Sequence, residues 1–444
     1  MPKTMPRISD RPVAASLTVV AVAALASLLA LGGCSKSASD PNVRVGDLPV
    51  DTAFGKKLQE QLLDAKPGTV IEIPAGHYHL DRGLSLRVNG VTLRGAGMEQ
   101  TILSFRDQVA GPEGLLAQAS DFTIEGLTIE DTKGDALKIN SGENITIRGV
   151  RVRWTDGPKT TNGAYGLYPV KTKNVLIENS QSFGAADAGL YVGPSHNVIV
   201  RGCRAEQNVA GIEIENTIDA DVHDNVATGN TGGILVFNMP NLSQPGHSTR
   251  VFHNKVDANN LGNFGAKGTA VASVPAGSGV VINSNSLVEI FDNDVTNNAT
   301  ANVIISSYFS TGYFSEKGTQ PGYDPYPRGI YVHDNRFTGG GDSPDGVDLK
   351  VLKSAMFGIN GHFPDVLWDG YVDTARANVA EERLCVDATA SGVLNADGPH
   401  KYKDPKVVSE ALRCKLAPLS PVTLATAAAV PATSASATAS AASL

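Results

Sequence analysis

The chain has 444 residues, 45 acidic and 37 basic, for a formal net charge of −8. No basic stripe stands out along it, which argues against a nucleic acid partner. The four cysteines include no Cys-x-x-Cys-His and no Cys/His cluster at zinc spacing, so c-type haem attachment and a structural zinc site are excluded and no cofactor is evident.

At the N-terminus, Lys3, Arg7 and Arg11 precede an almost unbroken apolar run over residues 13–31. A basic region, an apolar region and a small-residue site, in that order, form a secretory signal. The run ends in Leu31-Gly32-Gly33-Cys34, which resembles the lipobox of bacterial lipoproteins. That resemblance implies that residues 1–33 are removed and that Cys34 becomes the lipidated first residue. A plain membrane anchor is the alternative, since the run is about long enough to span a bilayer. However, the small residues stop at a lone Cys, and the Ser/Ala-rich start of residues 34–50 reads as a tether. Ser35 rather than Asp follows Cys34, which by the same resemblance implies the outer membrane, facing the periplasm. Without its first 33 residues the chain carries a net charge of −10, so an anionic polymer is repelled on average.

Residues 51–66 follow as a short amphipathic helix, with Phe54, Leu58 and Leu62 at i, i+4 and i+8. Pro67-Gly68 stops it. Such a helix suits a cap over the open strand edge of a solenoid.

From residue 69 a repeat takes over. Gly166-Leu167-Tyr168, Gly189-Leu190-Tyr191, Gly211-Ile212-Glu213 and Gly233-Ile234-Leu235 open equivalent strands at spacings of 23, 22 and 22. A second strand recurs at Ile124, Ile147, Ile177 and Val200. A period near 22 with alternation of two inside it predicts three short strands and three turns per coil. Leu167, Leu190, Ile212 and Ile234 then stack inside, and Pro169, Val192, Ile214 and Val236 form the next internal stack. An apolar-x-x-Asn unit recurs at Asn225, Asn254, Asn293 and Asn335, a turn position where an amide side chain can serve backbone groups and bond its neighbours. Cys203 lies 22 residues before Asn225 and takes the same place as a small buried filler. The fold expected is an all-β, right-handed parallel β-helix of about ten coils, a rod of about 45–50 Å. With its capping helix it covers residues 51–341. Excursions interrupt it at 238–249, 259–277 and 306–327. Residues 342–423 form a non-repetitive cap in which Cys385 and Cys414 pair, as an exported compartment permits. Residues 424–444 are an Ala/Ser/Thr tail expected to be disordered.

Ile73-Pro74-Ala75-Gly76-His77-Tyr78, followed by Val91-Thr92-Leu93-Arg94-Gly95-Ala96-Gly97, resembles the opening coils of the pectin-lyase-like superfamily. The stretch from about 160 to 310 is similar to a group of bacterial parallel β-helix repeat lipoproteins. Tyr165-Gly166-Leu167-Tyr168-Pro169-Val170 is similar to the Tyr-Gly-Phe-Asp-Pro-His strand of mannuronan epimerases. Tyr165, Gly166 and Pro169 match it. Tyr168 stands in place of the catalytic Asp and Val170 in place of the His, and a further family Asp falls at Gly193. The resemblance therefore carries the fold and not the epimerase reaction.

If Leu167 and its equivalents point inward, the outward column reads Lys138, Tyr168, Tyr191, Glu213, Leu235, and the one beside it Asn140, Val170, Gly193, Glu215, Phe237. On an exposed face, rings beside carboxylates suit a sugar chain, with Tyr168 and Tyr191 as stacking platforms. Stacked tyrosines also stabilise a bare solenoid. Tyr308, Phe309, Tyr313, Phe314, Tyr323 and Tyr326 of the longest excursion could wall such a cleft. For catalysis the candidates are Tyr165 as donor, Glu213 and Glu215 as an acid/base pair, and Lys138 to neutralise charge. The acidic turn at 339–346 is the one candidate for calcium, although it fits neither EF-hand nor nonapeptide spacing. Three classes follow: a polysaccharide-binding lipoprotein, a lyase, epimerase or hydrolase, and a structural or assembly protein of the envelope.

Cys34→Ala is expected to leave an uncleaved precursor or to release the protein from the membrane fraction. Fractionation and gel migration identical to the parent would refute lipidation.

Overall fold

Runs of alternating apolar residues, each ended within a few positions by Asn, Asp or Gly, favour brief strands separated by tight turns. The computed structural model describes residues 50–311, 319–376, 378–387 and 391–425. Cys34 with the signal and tether up to residue 49, Tyr313, Phe314 and the tail from residue 426 lie outside the described residues.

The strands stack into three parallel sheets that wind as one continuous coil. The front sheet starts at Arg82–Leu86 and runs through Ala188–Val192, Ala210–Glu215 and Gly232–Phe237 to Val366–Trp368 and Val393–Asn395. The second runs from Val70–Ile73 through His196–Arg201 to Leu384–Val386. The third runs from Gly76–His79 through Arg204–Glu206 to Arg336–Thr338. Inside the coil, Leu137, Leu167, Leu190, Ile212 and Ile234 lie in register, followed by Val280, Val303, Val366 and Val393, and all are buried. Each such side chain contributes about 2 kcal/mol of burial free energy.

The N-terminal end is covered as the periodicity of 51–66 predicts. Helix α1 spans Thr52–Asp64; its N-cap Asp51 accepts a 2.9 Å bond from the Phe54 amide. Leu58 and Leu62 enter the core, and Phe54 stacks on Tyr78 at 3.7 Å.

One boundary differs from the sequence reading. The period was expected to end at residue 341, yet Val366–Trp368, Leu384–Val386 and Val393–Asn395 continue the parallel stacking in register. The insertion before Val366, which contains helix α2 (Val347–Phe357), lengthens that coil enough to hide its period. The chain then closes with Lys406–Val408 antiparallel to Val393–Asn395. Cys385 and Cys414 are disulfide-bonded across this end.

The turns between the second and third sheets explain the Asn pattern. Asp224, His253, Asp292 and Asp334 take the left-handed conformation (φ 52–56°), which turns the next residue inward. Those next residues are Asn225, Asn254, Asn293 and Asn335. The Asn254 Oδ1 accepts from the Asn225 amide and side chain, both at 3.0 Å, and Asn254 Nδ2 donates to Asn293 Oδ1 and Val222 O, both at 2.9 Å. Cys203 heads the ladder, its amide donating to Asn225 Oδ1 at 2.9 Å. Its thiol is buried and free, and burial pushes it up to about 12. A second ladder, Asn208, Asn230, Asn259 and Asn298, lines the turn into the front sheet.

Two outcomes are expected. Asn254→Leu should destabilise the fold by about 2–4 kcal/mol in chemical denaturation, because it strands buried donors and acceptors on both neighbouring coils. In alkylation with and without reductant, Cys385 and Cys414 should react only after reduction and Cys203 only after unfolding; ready labelling of the native protein would contradict both assignments.

Candidate functional site

The outward columns of the front sheet run in the register expected. Lys138 pairs with Tyr168, Tyr191 with Glu213, Glu213 with Leu235, and Glu215 with Phe237. Outward is not exposed, however. Tyr191 is 5% and Glu213 1% accessible, and Leu235 and Phe237 are buried. The cause is a second apolar core outside the coil. Met239, Val271, Val274, Tyr308 and Phe363, with Leu349 and Leu352 of helix α2, pack over Leu235, Val281, Ile304 and Leu367. These residues come from the excursions and from the insertion that contains helix α2. Tyr191 is therefore not an open stacking platform. Tyr168 and Tyr165 are half-buried at the margin of this cover.

The tyrosines close on one another. Tyr165 lies 4.4 Å from Tyr168 and 4.5 Å from Tyr191, centroid to centroid, and Tyr168 meets Tyr191 edge-on at 4.9 Å. A Cβ added at Gly193 would lie 2.8 Å from the Tyr191 ring and 2.9 Å from Val170. The absence of a side chain at 193 is thus what seats the Tyr191 ring, whose hydroxyl reaches Glu215. Epimerases by resemblance carry an Asp here; this chain uses the space for a ring.

Four carboxylates surround the rings. Asp187, at the turn that enters the Ala188–Val192 strand, is 7% accessible and bonded by Tyr165. Sequence reading missed it, because it lies off the outward columns, in the turn that precedes them. Glu213 and Glu215, two apart on one strand, share a hydrogen bond. Burial, reinforced by their mutual repulsion, holds Glu213 well above the ordinary carboxylate range. Burial, and for Asp187 also the charge of Glu215, places Asp187 and Glu215 at about 7. No cation of the described residues acts on these three. Glu213 Oε2 is buried, and no N–H or hydroxyl donor of the described residues reaches it. The fourth, Asp135, is raised by burial and pulled back by Lys138. Burial also raises Tyr165, Tyr191 and Tyr168, the last to about 12, so all three hydroxyls keep their protons.

Lys138 sits at the outer end. Its Nζ is 3.1 Å from Asp135, 3.8 Å from Glu113 and 4.7 Å above the Tyr168 ring. It is engaged there and does not neutralise Glu213 or Glu215. Of the excursion aromatics, Tyr323 donates to Asn238 O at 2.7 Å and packs near Tyr308 in the outer core, while Phe309 and Tyr326 meet each other at 5.4 Å. In the turn considered for calcium, the Asp345 carboxylate accepts from the amides of Ala276 and Gly346. The described residues contain no group of three or more His, Cys, Asp or Glu that could hold a metal ion. Further along the same face, a cavity of about 720 Å³ opens between Phe237, Val281, Ile304 and helix α2.

Chemically, the cluster holds donors and acceptors that exchange protons near neutral pH under a partial apolar cover. Coupled carboxylates with raised affinities for protons are the physical signature of acid/base sites.

The family described as a right handed beta helix region matches residues 113–274. No curated protein matches the chain. Among solved structures, the A-module of a mannuronan C-5 epimerase from Azotobacter vinelandii is 20% identical with a TM-score of 0.48, over 67% of this chain and 86% of that one. An alginate lyase from a Paenibacillus species is 14% identical (TM-score 0.37, 64% and 94% covered). A GH136 lacto-N-biosidase from Eubacterium ramulus is 11% identical (TM-score 0.40, 62% and 58% covered). The three stacked parallel sheets, with a right handed beta helix region matched over residues 113–274, show that this chain folds as a right-handed parallel β-helix.

Proposed function

We propose that this protein binds and processes a polysaccharide at the tyrosine–carboxylate cluster of the front sheet, by proton transfer through Glu213, Glu215 and Asp187. The observation that carries the reading is a cluster of three carboxyl groups, Glu213 and Asp187 buried and Glu215 half-buried, with a hydrogen bond between Glu213 and Glu215 and no cation of the described residues acting on them. Such groups divide the work. Glu213, the most strongly protonated, serves as general acid toward a glycosidic oxygen. Asp187, titrating near 7, serves as base toward water, and Glu215, hydrogen-bonded to Glu213, holds the acid's carboxyl in place. Tyr165 and Tyr191 donate to those carboxylates and orient them. Tyr168, at the half-open margin, offers a ring edge to the sugar. Hydrolysis fits better than uronate epimerisation or elimination. Both of those routes need the substrate carboxylate neutralised, and Lys138 is already bound by Asp135 and Glu113. In this reading the lipid on Cys34 holds the rod at the periplasmic face of the outer membrane.

The test is release of reducing ends from a panel of neutral, amino and uronic polysaccharides. Glu213→Gln and Glu215→Gln should each lower kcat about 10²–10⁴-fold, with affinity changed by less than about threefold. Tyr168→Ala should mainly weaken binding, by about tenfold. Turnover unaffected by both Gln variants would sink the acid/base assignment.

The same groups set a pH dependence of stability. Their proton affinity is higher in the folded than in the unfolded chain, so their favourable contribution is complete at low pH. It is lost as the pH rises from the ordinary carboxylate range to about 7. Glu215→Gln should therefore raise Tm at pH 8 by about 1–2 °C and leave it nearly unchanged at pH 4. An equal shift at both pH values would show that Glu215 is not protonated in the fold.

A further inference from the structure

Where the excursions and helix α2 fold over the front sheet, they do not fill the space they enclose. The cavity of about 720 Å³ lies there, and no residue of the tyrosine–carboxylate cluster lines it. Its floor is one outward column of five successive coils: Phe237, Asn283, Ser306, Asp369 and Ala396. Four steps between coils make that floor about 19 Å long. Leu349, Leu352 and Met356 of helix α2 form the roof.

The mouth is apolar as well. Val347, Val351 and Ala355 stand at i, i+4 and i+8 on helix α2, and all three are exposed, Val351 to 62%. Helix α2 already buries Leu349, Leu352 and Met356 against the outer core, so this is a second apolar stripe on the same helix. A helix apolar on more than one face belongs in an apolar surrounding on each. Val351 and Ala355 line the cavity, which places the open stripe at its lip.

The wall also sets the charge of what fits. Asp348 and Asp369 are in the lining, and no Lys, Arg or His of the described residues joins them. The Asp369 carboxylate is satisfied within the chain, by the amides of Ser307 and Tyr371 and the hydroxyls of Ser307 and Ser310. An ionised head group enclosed here would find no counter-charge. The hydroxyls of Ser306, Ser310 and Thr311 donate inside the chain and keep acceptor capacity, which suits an O–H or N–H of a neutral group.

We propose that this cavity binds the aliphatic chain of a neutral, hydroxyl-bearing lipid such as a monoacylglycerol, taken up as a single molecule. The floor matches an extended chain of about 14–16 carbons. Met239 and Met356 adapt to a flexible chain. Phe237 and Tyr402 are the aromatic rings of the described lining, too few to sandwich a planar ligand. The site is separate from the carboxylate cluster and does not depend on the reaction proposed there.

The experiment is displacement of the neutral fluorophore N-phenyl-1-naphthylamine from the purified full chain by 1-monoacylglycerols of 8 to 18 carbons, each below its micellar concentration. Free fatty acids of the same lengths are compared at pH 8, and native mass spectrometry gives the stoichiometry. One monoacylglycerol should bind per chain, its affinity rising about fourfold per added methylene and levelling near 16 carbons. The fatty acids should bind at least tenfold more weakly. Val351→Trp and Ala355→Trp, at exposed positions of the mouth, should each weaken binding tenfold or more with an unchanged melting curve. Leu63→Trp, on the exposed side of helix α1, should leave it unchanged. Parental affinity in both mouth variants, equal affinity for fatty acids, or no rise with chain length would overturn the proposal. So would lipid binding seen only after residues 312–318 are replaced by a Gly/Ser linker of equal length, which would make that segment the occupant. Release of reducing ends reads the carboxylate cluster separately, so neither failure can be mistaken for the other.

Discussion

Parallel stacking in register is the constraint from which the rest of the structure follows. Each residue sits directly above and below its equivalents in the adjacent coils, about 4.8 Å away, so a choice at one position becomes a property of a column. Apolar residues in an inward column form a continuous core, as Leu167, Leu190, Ile212 and Ile234 do. A polar residue in an inward column is stabilised when its neighbours complete it. Asn does this along a whole ladder, because one side chain both accepts from the coil before and donates to the coil after. The two Asn ladders are thus the means by which a tight turn can be placed over a dry interior.

The same geometry governs the outer face, with a different result. An outward column on a bare β-helix is solvated, and its carboxylates would be ordinary. Here the excursions and the insertion carrying helix α2 fold back over the front sheet and build a second apolar layer. Glu213 and Asp187 lie under or beside it. Desolvation then dominates their proton affinity, and the neighbouring carboxylates add to it. The rod supplies rigid spacing, and the loops supply the low dielectric. Neither alone would give coupled groups that titrate near neutral pH.

Gly193 shows how closely packing and chemistry are tied at this face. Its missing side chain admits the Tyr191 ring, the ring reaches Glu215, and Glu215 bonds Glu213. A substitution at 193 would therefore act on the carboxylate pair through the ring, without touching either carboxylate. The constellation is distinct in kind from the Asp/His strand that Tyr165-Gly166-Leu167-Tyr168-Pro169-Val170 resembles.

The amino-acid sequence by itself determined the coil: the 22–23-residue spacing, the inward and outward columns, the Asn225 ladder with Cys203 at its head, and the cap at 51–66. These were legible because a strand alternates with period two and a solenoid repeats with a fixed step, so both reduce to counting. It also named Lys138, Tyr165, Tyr168, Tyr191, Glu213 and Glu215 as one outward cluster. The tertiary structure decided what that cluster is. The coils continuing past residue 341 were hidden by the long insertion ahead of Val366. Asp187 lay off the counted columns, in the turn that precedes them. The burial of Tyr191 and Glu213 depends on where four non-repetitive segments fold, and loop placement leaves no periodic trace in sequence. Which residues face outward is a local property of the strand; whether outward means water is decided by segments far away in the chain.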